Sequence, residues 1–467
     1  MNKYLLYSFL LLTSITYAQV NDEVILNFKE YLGYVKKHHP ITKQAELTIS
    51  KGEANLMKSR GGFDPKIEVD YDRKQFKGIE YYDLLDATFK IPTWYGVELK
   101  ANFEQNDGEF LNAERNVPDQ GLFSAGISVP IAQGLLINDR MATLKKARFF
   151  KEQTKADRDI LVNTILYDAS LAYFDWLKAY NEKEIYSDFL KNAKIRFEGI
   201  KKSALAGDKA TIDTVEARIT VQNRQLGLEQ AKVKLMKSAL ELSNFLWIGN
   251  TIPVELQPNV IPDDNVDVLI DDTLQLDDNL LSSVAIEDHP KVRSLGYKID
   301  GLEVDRRLKA NKLLPKINLE YNFITGSPEI ARSFNTEEYK GGISFSFPLF
   351  LRKERGDVKL ATYKIQDTQY ELQSVQLQIQ NKVTAIYTEL NSFKTQNELI
   401  ASIVTDYTTL LQAEERKFSL GESSLFLINS RENKLIDAQL KSIEVQNKYF
   451  MTKAKLFNSL ATNPENL

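Results

Sequence analysis

Residues 39–71 read HPITKQAELTISKGEANLMKSRGGFDPKIEVDY, and residues 289–321 read HPKVRSLGYKIDGLEVDRRLKANKLLPKINLEY. At one offset of 250 (289 − 39) and without a gap, His39-Pro40 falls on His289-Pro290, Pro65-Lys66-Ile67 on Pro315-Lys316-Ile317, and Tyr71 on Tyr321. A duplication of this kind divides the chain into two halves of one plan, so whatever the first copy builds the second builds again.

The period changes inside each copy. From Pro65, Ile67, Val69 and Tyr71 alternate with Lys66, Glu68, Asp70 and Asp72, and from Pro315, Ile317, Leu319, Tyr321 and Phe323 alternate with Lys316, Asn318, Glu320 and Asn322. That is the period of a strand with one apolar face. Further alternating runs lie at 86–91, 97–104 and 124–131 in the first half, and only at 343–347 in the second. The polar segments 73–83, 105–120 and 325–339 read as connections, and Pro92-Thr93-Trp94-Tyr95 as a tight turn. Matching Ser128-Val129-Pro130 to Ser346-Phe347-Pro348 gives an offset of 218, so the first half holds 32 extra residues (250 − 218), enough for one more hairpin. Each main run is close to the ~9–11 residues of a tilted transmembrane strand.

Ahead of the first strand, Asp22–Lys37 reads as a short amphipathic helix stopped by His39-Pro40, followed by a second helix that ends at Gly61-Gly62. After the strands, no glycine or proline occurs between Gly134 and Gly199, or between Gly356 and Gly421. Apolar residues step by three and four through both stretches, for example Ile165, Ala169, Ala172, Trp176 and Ala179. Helices of ~60 residues, about 90 Å long, persist only by packing side by side. Each ends at a glycine, Gly207 or Gly421, before a returning helix. Between the halves, residues 248–279 are rich in proline and aspartate (Asp263, Asp264, Asp271, Asp272, Asp277 and Asp278), which predicts a solvated acidic connector; the spacing fits no EF-hand calcium loop.

Composition narrows the function classes. The 467-residue chain has net charge −4, which offers no basic face for nucleic acid. It has no cysteine, so disulfides, thiolate metal sites and a cysteine nucleophile are excluded. Lys3, the apolar run Tyr4–Leu12 and Thr16-Tyr17-Ala18 predict a secretory signal peptide over 1–18, with no cysteine after it to carry a lipid anchor. No other run reaches the ~20 apolar residues of a spanning helix, so a membrane crossing would have to be a β-barrel. Two of the three histidines, His39 and His289, belong to the repeated His-Pro helix boundary. There is no glycine-rich phosphate loop, G-x-S-x-G or H-E-x-x-H, so the chain does not read as an enzyme.

A signal peptide, a His-Pro entry, a proline-initiated strand, a strand ending Ser-Val-Pro or Ser-Phe-Pro, a very long helix and a glycine turn, mostly present twice, resemble the TolC family of outer-membrane efflux channels. The resemblance implies an α+β membrane protein built from two internal repeats, here 19–247 and 280–467. It further implies a homotrimer with a transmembrane β-barrel in outer-membrane lipid and a long α-helical periplasmic barrel. The partners it implies are a periplasmic adaptor and, through it, an inner-membrane transporter, in a tripartite efflux pump or type I secretion system, with no cofactor. By the same resemblance Ala206-Gly207-Asp208 and Leu420-Gly421-Glu422 are adaptor-docking tips, and Asp213 and Glu216 line the pore constriction. The chain departs from the family pattern in its extra hairpin, which gives six strands per copy where four are usual. It also departs in placing Leu427 and Ser430 where a second acidic pair would stand. The competing reading is a periplasmic coiled-coil adaptor or scaffold that conducts nothing.

Overall fold

A computed structural model describes residues 23–249, 252–276, 286–327, 329, 333 and 335–462. The expected signal peptide, 1–18, and Asp277 and Asp278 lie outside these residues. The first half runs β1 (Val24–Leu26), α1 (Phe28–His38), α2 (Pro40–Arg60), β2 (Lys66–Phe76), β3 (Ile79–Pro92), β4 (Glu98–Asp107), β5 (Leu122–Pro130), α3 (Asp139–Leu205) and α4 (Thr211–Ser243). There follow β6 (Trp247–Ile248), β7 (Ile252–Pro253), β8 (Val260–Pro262), α5 (Val266–Leu274), α6 (Pro290–Asn311), β9 (Lys316–Thr325), β10 (Tyr339–Ser346), α7 (Arg352–Ser419) and α8 (Leu425–Leu460). The described residues fall into two compact units: 43–162 with 286–382, which contains the large sheet, and 23–42 with 163–276 and 383–462, which is helical. The long helices α3 and α7, of 67 and 68 residues, contribute to both.

The repeat is kept in the structure: α2 and α6 both begin at the proline, and β2 and β9 both begin at the lysine, 250 residues apart. The histidine before each proline caps the helix that follows. His39 Nδ1 accepts from the Ile41 N–H (3.2 Å) and His289 Nδ1 from the Lys291 N–H (3.1 Å), satisfying a donor that the first turn leaves without an intrahelical partner. Proline suits the next position because its missing N–H is not needed there.

In the sheet unit six antiparallel strands run in the order β10-β9-β5-β4-β3-β2. The extra hairpin, β3–β4, lies within this sheet, with β3 paired to β2 and β4 to β5. Register brings the apolar residues onto one face: Ile67 stands opposite Phe89, Phe89 opposite Ala101, Ala101 opposite Ala125, Ala125 opposite Phe323 and Phe323 opposite Tyr339. That face is uncovered, with Ile67 75% and Ile343 75% exposed. Segment 73–83, expected as a connection, is strand on both sides of a two-residue turn. Lys77 and Gly78, at φ 56° and 79°, supply the two left-handed positions that a tight hairpin needs, and Arg73 and Tyr71 reach Glu80 and Asp83 across it.

In the helical unit, aromatic rings form the core. Phe28 lies 5.1 Å from Tyr173 and Phe174 lies 5.5 Å from Phe450. The buried Tyr173 hydroxyl donates to the Leu26 carbonyl (2.8 Å) and accepts from the Asp263 N–H (3.3 Å), and burial pushes its pKa up. Two expectations are corrected here. Residues 24–26 form a strand parallel to β8 rather than the start of a helix, because Asn27 is the cap of α1 and fixes its first turn downstream. The 248–279 segment is no solvated connector over its described part: α5 buries Val266, Ile270 and Leu274, Asp263 accepts from Asn27 Nδ2 (2.8 Å), and Asp271 pairs with the buried Lys453 (2.8 Å). Asp263, Asp271 and Asp272 are thus engaged by protein partners. Among the described residues no three His, Asp or Glu side chains are placed to hold a metal.

The cap makes stability pH-dependent. His39 is 7% exposed, and burial lowers its pKa below the usual value. Below about pH 6.5 the unfolded chain therefore binds the proton more readily than the fold, and stability falls as pH drops. Thermal unfolding of the detergent-solubilised protein followed by circular dichroism should show a loss approaching about 1 kcal/mol by pH 5, the worth of one cap. His39→Asn, which keeps an acceptor that does not titrate, should flatten that dependence.

Candidate functional site

Both long helices terminate through the same hydrogen-bond pattern. After α3, the Asp208 N–H reaches the Ser203 carbonyl (2.9 Å) and the Gly207 N–H reaches Ala204 (3.2 Å); after α7, Glu422 reaches Lys417 (2.9 Å) and Gly421 reaches Phe418 (3.1 Å). Gly207 and Gly421 take φ 86° and 80°, the left-handed conformation this C-cap requires. Both turns lie in the helical unit, and packing joins them: Ile200, Ala217 and Leu425 form one buried cluster, flanked by Phe197 and Phe418. Lys209 lies over the Phe418 ring at 4.8 Å. The tip residues Ala206, Gly207, Asp208, Leu420, Gly421 and Glu422 are exposed, as are the apolar side chains Leu205 (82%), Ile212 (69%) and Phe426 (69%) beside them.

Asp213 and Glu216 sit in the first turns of α4, both half-buried. They differ in engagement. Glu216 Oε1 accepts from Asn429 Nδ2 on α8 (3.0 Å), tying the two returning helices together, whereas the Asp213 carboxylate makes no hydrogen bond or ion pair among the described residues.

Sequence reasoning missed the charge network beside them. Glu432 on α8 is 1% exposed and pairs with Arg196 of α3 at 2.6 Å, with Arg224 of α4 at 4.0 Å. Arg224 donates to Asn433 Oδ1 (2.6 Å) and Arg196 also reaches Glu415 of α7 (3.2 Å), so all four helices meet in one network. Burial lowers the Arg224 pKa, and the Glu432 charge opposes that shift. Nearby, the Ser423 hydroxyl donates to Glu414 (2.5 Å), binding the residue after the turn back to α7. A signal was present in the sequence: Leu425, Ile428, Glu432 and Leu435 follow the three-four spacing of a buried stripe, and a carboxylate in that stripe needs a buried cation.

The family model for outer membrane efflux proteins matches residues 281–462. Comparison with curated protein sequences gives no match. Among solved structures, the Campylobacter jejuni CmeC outer membrane channel is similar at TM-score 0.63 and 12% identity, covering 94% of this chain and 87% of that one. The Vibrio cholerae outer membrane protein VceC is similar at TM-score 0.64 and 11% identity, covering 94% and 97%. The open state of the Neisseria gonorrhoeae MtrE outer membrane channel is similar at TM-score 0.65 and 10% identity, covering 94% and 89%. At these identities the likeness is one of fold.

Removing one partner of a buried ion pair strands the other charge, at a cost of about 3–5 kcal/mol, whereas replacing both by apolar side chains is often neutral. Arg196→Met should therefore lower the thermal midpoint by several degrees, and Arg196→Met combined with Glu432→Leu and Arg224→Met, which strands no ion, should recover much of that loss. Equal losses in the single and triple variants would show that these residues are not coupled.

Proposed function

We propose that this chain is a member of the outer membrane efflux protein family, whose model matches residues 281–462, and that three copies close around one axis to form a passive conduit for exported substrates, with no catalytic step. The observation that carries this reading is the pair of open sheet edges. β2 and β10 have no strand beyond them among the described residues, and an unpaired edge cannot face hydrocarbon. Five antiparallel steps separate them, so they run in opposite directions and β10 of one copy fits β2 of the next in the same antiparallel sense. Three copies of six strands close at 18. With ~4.8 Å between strands and ~40° tilt, such a barrel is about 36 Å across its backbone, against about 24 Å for 12 strands. Its uncovered apolar face would meet lipid and its charged face water.

The helical unit supports the same association. On α4, Ile212, Ile219, Leu226, Val233 and Leu240 recur every seven residues, and all are about half exposed or more. A strict seven-residue apolar seam calls for a neighbouring helix, which a second copy would supply. Membership of that family would put the protein in the outer membrane. In this reading the helical barrel extends into the periplasm. The two glycine turns meet a periplasmic adaptor linked to an inner-membrane transporter, as the outer part of an efflux pump or type I secretion system. Asp213 and its two symmetry mates, three carboxylates in all, form the constriction, and Glu216 sets the spacing of α4 and α8 through Asn429.

The absence of native cysteine gives a direct test of closure. Cysteines placed singly at Ile67, Val69 or Tyr71 and paired with one at Phe345 should give, for one combination, an oxidised covalent trimer from outer-membrane fractions. No intersubunit crosslink in any combination, with the protein in soluble or inner-membrane fractions, would favour the adaptor reading. For the constriction, Asp213→Asn should reduce cation preference and block by multivalent cations in single-channel recordings, because like carboxylates in a narrow opening concentrate cations. Unchanged selectivity would move the constriction elsewhere.

A further inference from the structure

The charged face of the sheet carries its charges in rows set by strand register. Lys66 stands directly opposite Lys90, Lys90 opposite Lys100, Lys100 opposite Gly126, Gly126 opposite Asn322, and Asn322 opposite Lys340. One cross-strand row therefore holds four lysines and no carboxylate. Like charges directly opposite one another disfavour a sheet, yet here they occur in three consecutive strands, and β3 and β4 of the extra hairpin supply two of the four. Carboxylates occupy other rows of the same face: Asp70, Asp86 and Glu104 stand in one, Glu98 and Glu320 in another.

Lys90, Lys100 and Lys340 pair with glutamates of other rows: Lys90 with Glu68, Lys100 with Glu320 (3.1 Å) and Lys340 with Glu104 (3.4 Å). An ammonium has three donors, so each retains N–H groups directed elsewhere, and such partly exposed pairs are weak. Lys66 makes no ion pair among the described residues. Between the strands the row opens into a groove of about 440 Å³ that Lys90, Lys100 and Lys340 line with two carboxylates, Glu104 and Glu320, and the amides of Asn102 and Asn322. Cations outnumber carboxylates there. At Gly126 a Cβ would lie 2.1 Å from the Tyr321 carbonyl oxygen, so the row crosses β5 with no side chain standing in the groove.

The row is also oblique. Lys66 is the first residue of β2, where the chain enters the sheet from α2, and Lys340 is the second residue of β10, where it returns from the 326–338 connection. The row thus passes from the helix-side end of one edge strand to the loop-side end of the other, with the Cβ positions of directly opposed residues on adjacent strands about 5 Å apart.

We propose that this lysine row is an anion track along the inner wall of the barrel, binding multivalent oxyanions and passing the anionic groups of exported cargo from strand to strand. It rests on the reading that the charged face lines the lumen. Its ligand class is a phosphate-like or polycarboxylate group, bound by successive ammonium donors and by the amide of Asn322. Low-affinity, repeated sites suit conduction, in which binding must be firm enough for entry and weak enough for release.

The test is planar-bilayer recording of the full-length protein with inorganic tripolyphosphate as probe. The parent channel should be blocked at submillimolar tripolyphosphate in 0.1 M KCl, with the block fading at 1 M KCl as salt screens it. Lys66→Gln, which removes a charge without breaking an ion pair, should weaken the block severalfold. Lys90→Gln/Lys100→Gln/Lys340→Gln should weaken it tenfold or more, and the three corresponding arginine substitutions should retain it. A conducting parent channel indifferent to tripolyphosphate, or a Lys66→Gln channel blocked as the parent is, overturns the track while leaving the conduit intact. A parent that gives no conductance overturns the conduit reading and the track with it.

Discussion

An exposed strand edge is the constraint on which the rest of this structure depends. A soluble protein can leave such an edge in water, protected by charge or a bulge. Here the two edges bound a sheet whose apolar face is uncovered along all six strands, so the environment that suits the face is hydrocarbon, where unpaired N–H and C=O groups are most costly. Only closure satisfies both requirements, and a single twisted six-stranded sheet has too few strands to enclose a wide lumen by itself. On the proposed reading association follows from the edges, and the extra hairpin would enlarge the ring without altering the antiparallel sense in which it closes.

In the helical unit the corresponding constraint is apolar periodicity. The stripe on α4 with seven-residue spacing remains uncovered in one chain, while α8, its counterpart in the other half, buries Leu425, Ile428, Leu435 and Ile436 on its own. The two returning helices thus have unequal roles although they descend from one repeat. Propensity cannot hold helices of 67 and 68 residues in order; packing along their length does so, and the Gly207 and Gly421 caps fix where it ends.

Much of the fold was legible because repeat and period are properties of the sequence itself. The offset of 250 fixes the starts of α2 and α6 and of β2 and β9, and the 32-residue excess locates the additional hairpin. Segment 73–83 was misread because charge density resembles a loop when the partner strand, which supplies Glu80 and Asp83 to Arg73 and Tyr71, is unknown. The aspartates of 248–276 misled in the same way, since Asn27 and Lys453, which engage Asp263 and Asp271, are 236 and 182 residues distant. The glycine turns of the candidate site could be read directly from their φ requirement. The apolar stripe marks Glu432 as buried, but its partners Arg196 and Arg224 could not be read, because they depend on which helices become neighbours.

That network bears on how the tips are specified. A buried Arg–Glu–Arg arrangement adds little net stability over apolar packing of the same volume, since desolvating the ions offsets most of their attraction. What it does supply is register. Apolar stripes with three-four spacing tolerate a slip of one turn, for the next apolar residue can take the place of the last. Glu432 has no such substitute: displaced by a turn of α8, it would leave Arg196 and Arg224 and stand uncompensated in the core. Glu216 and Asn429, closer to the glycine turns, repeat the constraint with a neutral partner and a half-buried carboxylate. Polar ties thus interrupt the apolar core near the turns, where α4 and α8 must be held in one alignment if Asp213 is to stand at a fixed height.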